Sequence, residues 1–301
     1  MERSTRRAIP VSGRRLGLLL AATGMFLIST DSLLIRIADV DGWTIAFMGA
    51  LWSTPLMWSI AARSLGHDLA TQLRRFRRPL LLTGVLGATS STAFITAVTL
   101  TEVANVVAII AAAPIFAAVV SKIVLGERTS RRTWRSIALT ISGIIVIVGG
   151  SLAGGGISGD LLALVAIGGF SVNLTIWRRY PELPRTLIVA MTALCTLLVT
   201  AIPSDPFSID RTTLLATLAM GGFFGPLARF CMATATRHAP AAEVSLMTPV
   251  ETVCASLWVW LWFEEVPPTP TFVGGAIVLA AVAYGVTGPA GETAPPPTTH
   301  T

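Results

Sequence analysis

The chain has 301 residues, 53% of them apolar and only 13% charged, with a net charge of +6 and three cysteines. A soluble domain carries roughly 25% charged residues, and a mean hydropathy of +0.72 leaves too little polar surface for a compact particle in water. The same figures exclude a disordered chain, a collagen-like repeat and a disulfide scaffold, which leaves an integral membrane protein.

A helix needs about 20 mostly apolar residues to cross a bilayer, and the chain offers ten such stretches. In order they run Leu16–Ala38, Trp43–Ala62, Pro79–Val98, Val103–Leu125 and Trp134–Ser151, then, after a glycine-rich break, Asp160–Trp177, Thr186–Pro203, Thr212–Thr236, Ala241–Phe263 and Thr271–Gly288. The Arg-rich start followed by an apolar run has the look of a signal peptide. No small-residue cleavage site follows Ile28, so it reads as an uncleaved first span. In the eighth span the run Gly221–Pro226 is expected to bend the helix, and Arg229 follows directly. Cys195, Cys231 and Cys254 all lie in apolar stretches and read as reduced packing residues.

Lys and Arg counts set the orientation. With the N-terminal tail in the cytoplasm, every Lys and Arg except Arg36 and Arg211 falls on the cytoplasmic side, while the outer loops carry Asp39, Asp41, Glu102, Asp160, Asp205 and Asp210. The positive charge therefore calls for no nucleic-acid partner, and both termini are expected in the cytoplasm of a cell bounded by an inner membrane.

Ten spans divide into two sets of five. Ala113–Glu127 in the fourth span and Glu251–Glu265 in the ninth are both apolar helices ending in an acidic residue, and Asp31 and Arg36 of the first span align with Asn173 and Arg178 of the sixth. Five is odd, so the second half enters the membrane upside down, and equivalent loops carry opposite charge bias. The expected fold is all-α: ten transmembrane helices as two inverted five-helix repeats. Residues 1–15 form a basic cytoplasmic tail, 16–151 the first repeat, 158–288 the second and 289–301 a disordered tail. Rocking one such bundle against the other opens a central cavity to alternate sides.

Thr101–Phe116, closed by Leu125–Arg128, resembles the signature of EamA-type carriers of the drug/metabolite transporter superfamily, and Ala241–Leu246 with Phe263–Pro267 repeats it more loosely. The resemblance covers roughly residues 15–288. It implies spans one to four and six to nine around a cavity, five and ten at the periphery, and transport of amino acids, metabolites or drugs, often outward. The family often has Pro at position 252 and Gly at position 264. This chain has Thr252 and Glu264, with Pro249 instead, so the ninth helix is expected to bend one turn earlier.

An ionisable group inside a bilayer costs roughly 2.5–3.5 kcal/mol on insertion scales, so each is a candidate for function. Asp31 lies about 22 Å along the first span from its cytoplasmic end and reads as a solute-binding or protonatable carboxyl; the bland alternatives are a carboxylate held by Ser29, Thr30 and Ser32, or one close to the outer surface. Glu251 lies about 15 Å into the ninth span, with no basic residue within a turn, which makes it a candidate for proton coupling or for a bond to a neighbouring helix. Glu243, Met247 and Glu251 recur at four-residue spacing and are placed on one helix face, with Asn105 on the equivalent face of the fourth span. Asn173 is a candidate ligand or a helix–helix hydrogen bond. Arg229 is expected either to pair with Glu243 across the inner mouth or to snorkel to the interface. Trp258 and Trp262 share a face and are the best aromatic candidates for the cavity. Pro55, Pro114, Pro226 and Pro249 are candidate kinks, and Gly84, Gly87, Ala88 and Ser91 suit close packing of the third span.

No P-loop, His-Glu-x-x-His or Gly-x-Ser-x-Gly run is present, and no Cys/His pair has ligand spacing. The sequence therefore reads as a secondary carrier of a small-molecule solute with the lipid bilayer as its other partner, without enzyme activity, metal or cofactor. The competing reading is a non-transporting membrane sensor or assembly factor on the same framework.

Overall fold

The structure, a computed structural model, describes residues 11–100, 106, 109–110, 112–127, 129–149, 157–263 and 269–286. The described residues are helical with no strand. The first stretch forms α1 (Val11–Ile28) and α2 (Thr30–Ala38), separated by a turn at Ser29 whose hydroxyl donates to the Phe26 carbonyl at 2.6 Å. Asp39, in the left-handed region at φ 49°, ends α2. Asp41 then starts α3 (Gly42–Leu65) by accepting hydrogen bonds from the Trp43 and Thr44 amides at 2.9 and 3.0 Å, two of the donors a helix start leaves unpaired. Gly66, at φ +51°, ends α3, and α4 (Leu69–Arg75) leads into α5 (Arg77–Leu100).

The chain continues as α6 (Ala113–Leu125), α7 (Arg131–Gly149), α8 (Ile157–Arg179) and α9 (Arg185–Thr200). The eighth sequence stretch becomes α10 (Arg211–Ala219), a π-helical turn at Met220–Phe224 and α11 (Gly225–His238). The ninth becomes α12 (Ala241–Ser245) and α13 (Thr248–Phe263), followed by α14 (Thr269–Val286). Six apolar helical runs are long enough to cross a bilayer: 13–38, 42–75, 77–100, 157–179, 211–238 and 241–262. Three shorter apolar helices accompany them: Ala113–Leu125 and Arg185–Thr200 between these runs and Val273–Gly285 after the last. Their outward faces carry bare apolar side chains such as Leu19, Ile123, Ile145 and Leu198, the surface a bilayer covers.

Two sequence expectations change form. The Gly221–Pro226 run does not simply bend its helix; it winds one turn as a π-helix and continues. Of the four prolines, Pro55 lies inside a helix. Pro114 occupies a first-turn position, where the missing N–H is no loss; Pro226 directly follows the π turn within the continuous run 211–238, and Pro249 is the second residue of α13. The ninth stretch is thus interrupted at Leu246–Met247, just before Pro249.

Helix reversals gather at two ends. Arg14, Arg74, Arg131, Arg178 and Arg185 lie at one, called the basic end below, and Asp39, Asp41, Asp205 and Asp210 at the other, the acidic end. In lipid there is little hydrophobic drive between helices, so close contact comes from small residues and buried hydrogen bonds. A Cβ on Gly84 would lie 2.6 Å from Met191 of α9, and one on Gly87 2.8 Å from Thr192, so α5 presses on α9. α1 meets α11 through Gly17 and Gly24, while α7 and α14 join through the Ser136 hydroxyl, which donates to the Ala281 carbonyl at 2.6 Å. The closest approach is between α3 and the π turn. There a Cβ on Gly221 would collide with the Gly49 carbonyl oxygen, and Ser53 Oγ donates to the Gly221 carbonyl. The three cysteines are free thiols.

Candidate functional site: a charged cavity within the bundle

Between α1, α2, α5, α8, α9, α11 and α13 lies a cavity with about 960 Å³ of empty space, its opening included. Most of its wall is apolar, from Met25, Phe94, Ile95, Phe170 and Met232. Four groups with stronger chemistry also face it: Asp31, Asn173, Arg229 and Glu251. A smaller cavity of about 470 Å³ lies between α3, α9 and the π turn, lined by Gly49, Ser53, Thr196 and Gly221, and both cavities include Asp31 and Arg229 in their walls.

Asp31 stands two residues past the Ser29 turn. It is 5% exposed, and its Oδ1 accepts no hydrogen bond from any described residue. Ser29 and Thr30 donate instead to backbone carbonyls one turn back, Phe26 and Leu27. The bland expectation, a carboxylate held by its hydroxyl neighbours, therefore fails for these two because each hydroxyl's single hydrogen is already used.

Arg229 reaches the cavity because of the π turn. The Gly225 N–H closes that turn on the Met220 carbonyl, and a Cβ on Gly225 would lie 2.8 Å from both the Met220 carbonyl oxygen and Arg229 Nη1. The guanidinium therefore lies back along its own helix, in the space a side chain at position 225 would fill. It interacts electrostatically with Asp31, and Asp31 in turn with Glu251. Among the described residues neither Arg229 nor Glu251 has a hydrogen-bond or close ion-pair partner. One guanidinium and two carboxyls, none bonded to another, thus face a single apolar-walled space.

The other sequence candidates fall elsewhere. Glu243 pairs with Arg14 at 2.7 Å, not with Arg229; Arg229 neither meets Glu243 nor snorkels to the basic end. The shared face of Glu243, Met247 and Glu251 is lost because the helix breaks between Ser245 and Thr248. Met247 packs into the apolar core and only Glu251 lines the cavity. Trp258 donates its indole N–H to Ser29 Oγ at 2.9 Å and sets its ring edge-on to Phe26, outside the cavity wall; Trp262 is exposed. Glu127 is buried and bonded to Arg178 at 3.1 Å. Asn105 and Glu265 lie outside the described residues.

Several wall residues escaped the sequence reading: the hydroxyls of Ser90, Thr192 and Thr248 and the rings of Phe94 and Phe170. Hydroxyls and aromatic rings occur on every face of an apolar helix, so no spacing distinguishes these. Gly225 did carry a signal, since a second glycine-rich turn beside a buried arginine marks a place where backbone must make room. No group of three or more His, Cys, Asp or Glu among the described residues could hold a metal ion.

A family model described as the EamA-like transporter family matches residues 15–149 and again 157–287. No curated protein matches the chain. Among solved structures, one described only as the crystal structure of a protein superposes with a TM-score of 0.76 at 17% identity, covering 90% of this chain and 97% of that one. At that identity the likeness is one of fold.

Proposed function

The chain belongs to the EamA-like transporter family, membrane transporters of the drug/metabolite transporter superfamily, and on that premise we propose that it is a secondary active transporter. It carries small organic solutes across the cytoplasmic membrane by alternating access, in the outward direction. The proposal includes ten crossings arranged as two inverted five-helix repeats over residues 16–151 and 158–288, with both termini in the cytoplasm.

The observation that carries this reading is the cavity itself. It draws Asp31, Asn173, Arg229 and Glu251 from four separate stretches of sequence into one space. Leaving an ionised group without a partner in a low-dielectric interior is costly. A protein keeps such groups where a solute or a proton supplies the missing partner during a cycle. Asp31 and Glu251 are the proposed coupling carboxyls, Arg229 the fixed positive charge between the two cavities, and the apolar wall the seat of the solute's body. A sensor or assembly factor on the same framework has no need of these unpaired groups.

The test has two stages. A thermal-shift screen of the purified protein against amino acids, nucleosides, polyamines and cationic dyes finds a ligand, since a ligand stabilises the state it binds. Flux of that ligand into proteoliposomes is then measured with a proton gradient. Asp31→Asn and Glu251→Gln are each expected to abolish gradient-coupled flux in protein that remains folded. Coupled flux undiminished in both variants removes the assigned roles, and no flux of any stabilising ligand in wild-type vesicles favours the sensor.

A further inference from the structure

At the far side of the cavity from Asp31, three polar side chains form a buried relay. Trp177 Nε1 lies 2.6 Å from Thr83 Oγ1, and Thr83 Oγ1 lies 2.6 Å from Asn173 Oδ1. Chemistry fixes the direction of the first bond, and the amide oxygen facing Thr83 fixes the second. An indole N–H can only donate, so the Thr83 oxygen accepts from it and the single hydroxyl hydrogen goes to Asn173. The atom receiving that hydrogen must be the amide oxygen. Turning the amide over would put its NH2 on the second lone pair of the Thr83 oxygen and leave the hydroxyl hydrogen without the acceptor it has here, so the arrangement with Oδ1 toward Thr83 is the one that uses every donor of the relay.

The consequence lies on the other side of the amide plane. Asn173 lines the cavity, is 2% exposed, and its nitrogen has no protein partner among the described residues. An amide N–H that opens onto an apolar-walled cavity and finds no protein acceptor is destabilising until something in the cavity accepts from it. The relay holds it in that state, although a leucine at the same place would fill the space without that penalty. Trp177 and Asn173 are four residues apart on one face of α8, and Thr83 comes from α5, so the orientation is set by two helices at once.

Asn173 and Asp31 do not share one spot. Asn173 is six residues from the basic end of α8 and Asp31 seven from the acidic end of α2. At the helical rise, and with α8 spanning the bundle, their backbones are separated by about 10–15 Å along its axis. The cavity is therefore polarised lengthwise, with an open carboxyl acceptor near one pole and an open amide donor near the other.

Resting on the transport reading of this cavity, we infer that Asn173 is a specificity-determining donor, held toward the solute by Thr83 and Trp177. The cavity then selects solutes whose apolar body carries an oxygen acceptor, a carbonyl or carboxylate, at the end remote from Asp31. Thr83 and Trp177 are positioning residues that act through Asn173.

Two isosteric amines test this, 4-acetylbenzylamine and 4-isopropylbenzylamine, which differ by one carbonyl oxygen in place of a methyl group. Calorimetric titration of the purified protein gives the affinity ratio, ketone over isopropyl. Asn173→Leu is expected to lower that ratio about five- to tenfold, the worth of one buried hydrogen bond. Thr83→Val, which keeps Asn173 but frees its amide to turn, is expected to lower the ratio in the same direction while leaving affinity for the isopropyl compound within about twofold. A merely structural relay would weaken both compounds alike and leave the ratio unmoved. If Asn173→Leu does not fold, Asn173→Asp replaces it, and there the ketone is expected to become the poorer ligand.

An unchanged ratio in the variants, or no ketone binding to the wild type, overturns the inference. Titration does not depend on flux, so the two readings fail separately. A ratio that responds while neither amine enters vesicles keeps the relay and counts against transport. Entry of both amines with an unresponsive ratio keeps transport and removes the relay.

Discussion

At the basic end of the bundle a single apolar core runs from Leu18 and Met25 through Leu174 and Leu187 to Val244 and Leu246. At the acidic end, among the described residues, burial falls into one group around Ile35, Ile45 and Met220 and another around Ala97, Val106 and Ala163, with the half-buried Phe94 and Val98 packed against both. The basic end is also tied by cations. Arg178 bonds Glu127 at 3.1 Å and the Thr236 carbonyl at 3.3 Å, Arg237 bonds the Leu183 carbonyl at 3.1 Å, and Arg14 bonds Glu243 at 2.7 Å. Two small apolar groups joined through Phe94 and Val98 of α5 yield more readily than one continuous core, which cannot open without exposing its interior. In the proposed orientation the structure is latched on the cytoplasmic side, and the outer side is the one able to part around the cavity.

The strongest way to break this contrast is to remove the latch. Arg178→Ala leaves Glu127, 7% exposed at its side chain, as a buried charge without its partner. One oxygen of Glu127, Oε2, already has none. Removing one member of a buried pair costs about 3–5 kcal/mol, so a large fall in the thermal midpoint is expected, measured in detergent. A midpoint within a degree or two of wild type would mean that the basic end is not held by this pair.

A smaller effect is expected from a steric change at the acidic end. A Cβ on Gly42 would lie 2.8 Å from the Thr96 Cα, next to the cavity-lining Ile95, so Gly42→Ala must push α3 from α5 at the acidic end. Overpacking of this kind costs about 1–3 kcal/mol in a rigid core. If the acidic end yields more readily, the loss of stability falls at the low end of that range while solute affinity changes more than twofold. A full cost with unchanged affinity would show the acidic end to be as rigid as the basic one.

The exposed pair of Arg75 and Glu182, 2.6 Å apart with side chains 59% and 67% exposed, serves as the internal control. Exposed pairs contribute about 0–1 kcal/mol. Glu182→Ala should therefore change the midpoint far less than Arg178→Ala, although both touch the basic end. Equal effects would mean that burial does not separate latch from surface.

Hydropathy and charge made much of this legible. Apolar runs located the helices, and the carboxyls at Asp31 and Glu251 stood out because lipid is a poor place for them. Depth along a helix was legible; azimuth and reach were not. Arg229 and Glu243 lie toward the same end in sequence, and depth alone made them partners. The π turn and the bare Gly225 send the guanidinium toward Asp31 instead, and Glu243 is taken by Arg14 from a helix more than two hundred residues away in the chain. The break before Pro249 separated Glu251 from Met247 for the same reason: periodicity counts residues as if the helix were continuous. The relay from Trp177 to Asn173 needs Thr83 of another helix, and no pattern within α8 announces it.

The smallest expected effect is confined to the acidic end. Asp210 caps α10, its Oδ1 accepting from the Thr213 amide at 2.7 Å. Hydrogen bonding at Thr213 holds the Asp210 carboxyl below its ordinary range. Because the folded value is the lower one, the cap's stabilisation is complete above the ordinary carboxylate pKa and fades as the pH falls through the lowered value. Protection of the Thr213 and Leu214 amides against hydrogen exchange, taken relative to an unstructured peptide, should therefore fall on acidification in the wild type. Asp210→Asn keeps a capping oxygen that does not titrate, so its protection should stay level over the same range. If the acidic end yields apart from the basic one, the loss stays within the first turn of α10 and amides of α11 near the basic end keep their protection. Loss that spreads from Thr213 to Met232 at the same pH would instead join the two ends into one cooperative unit.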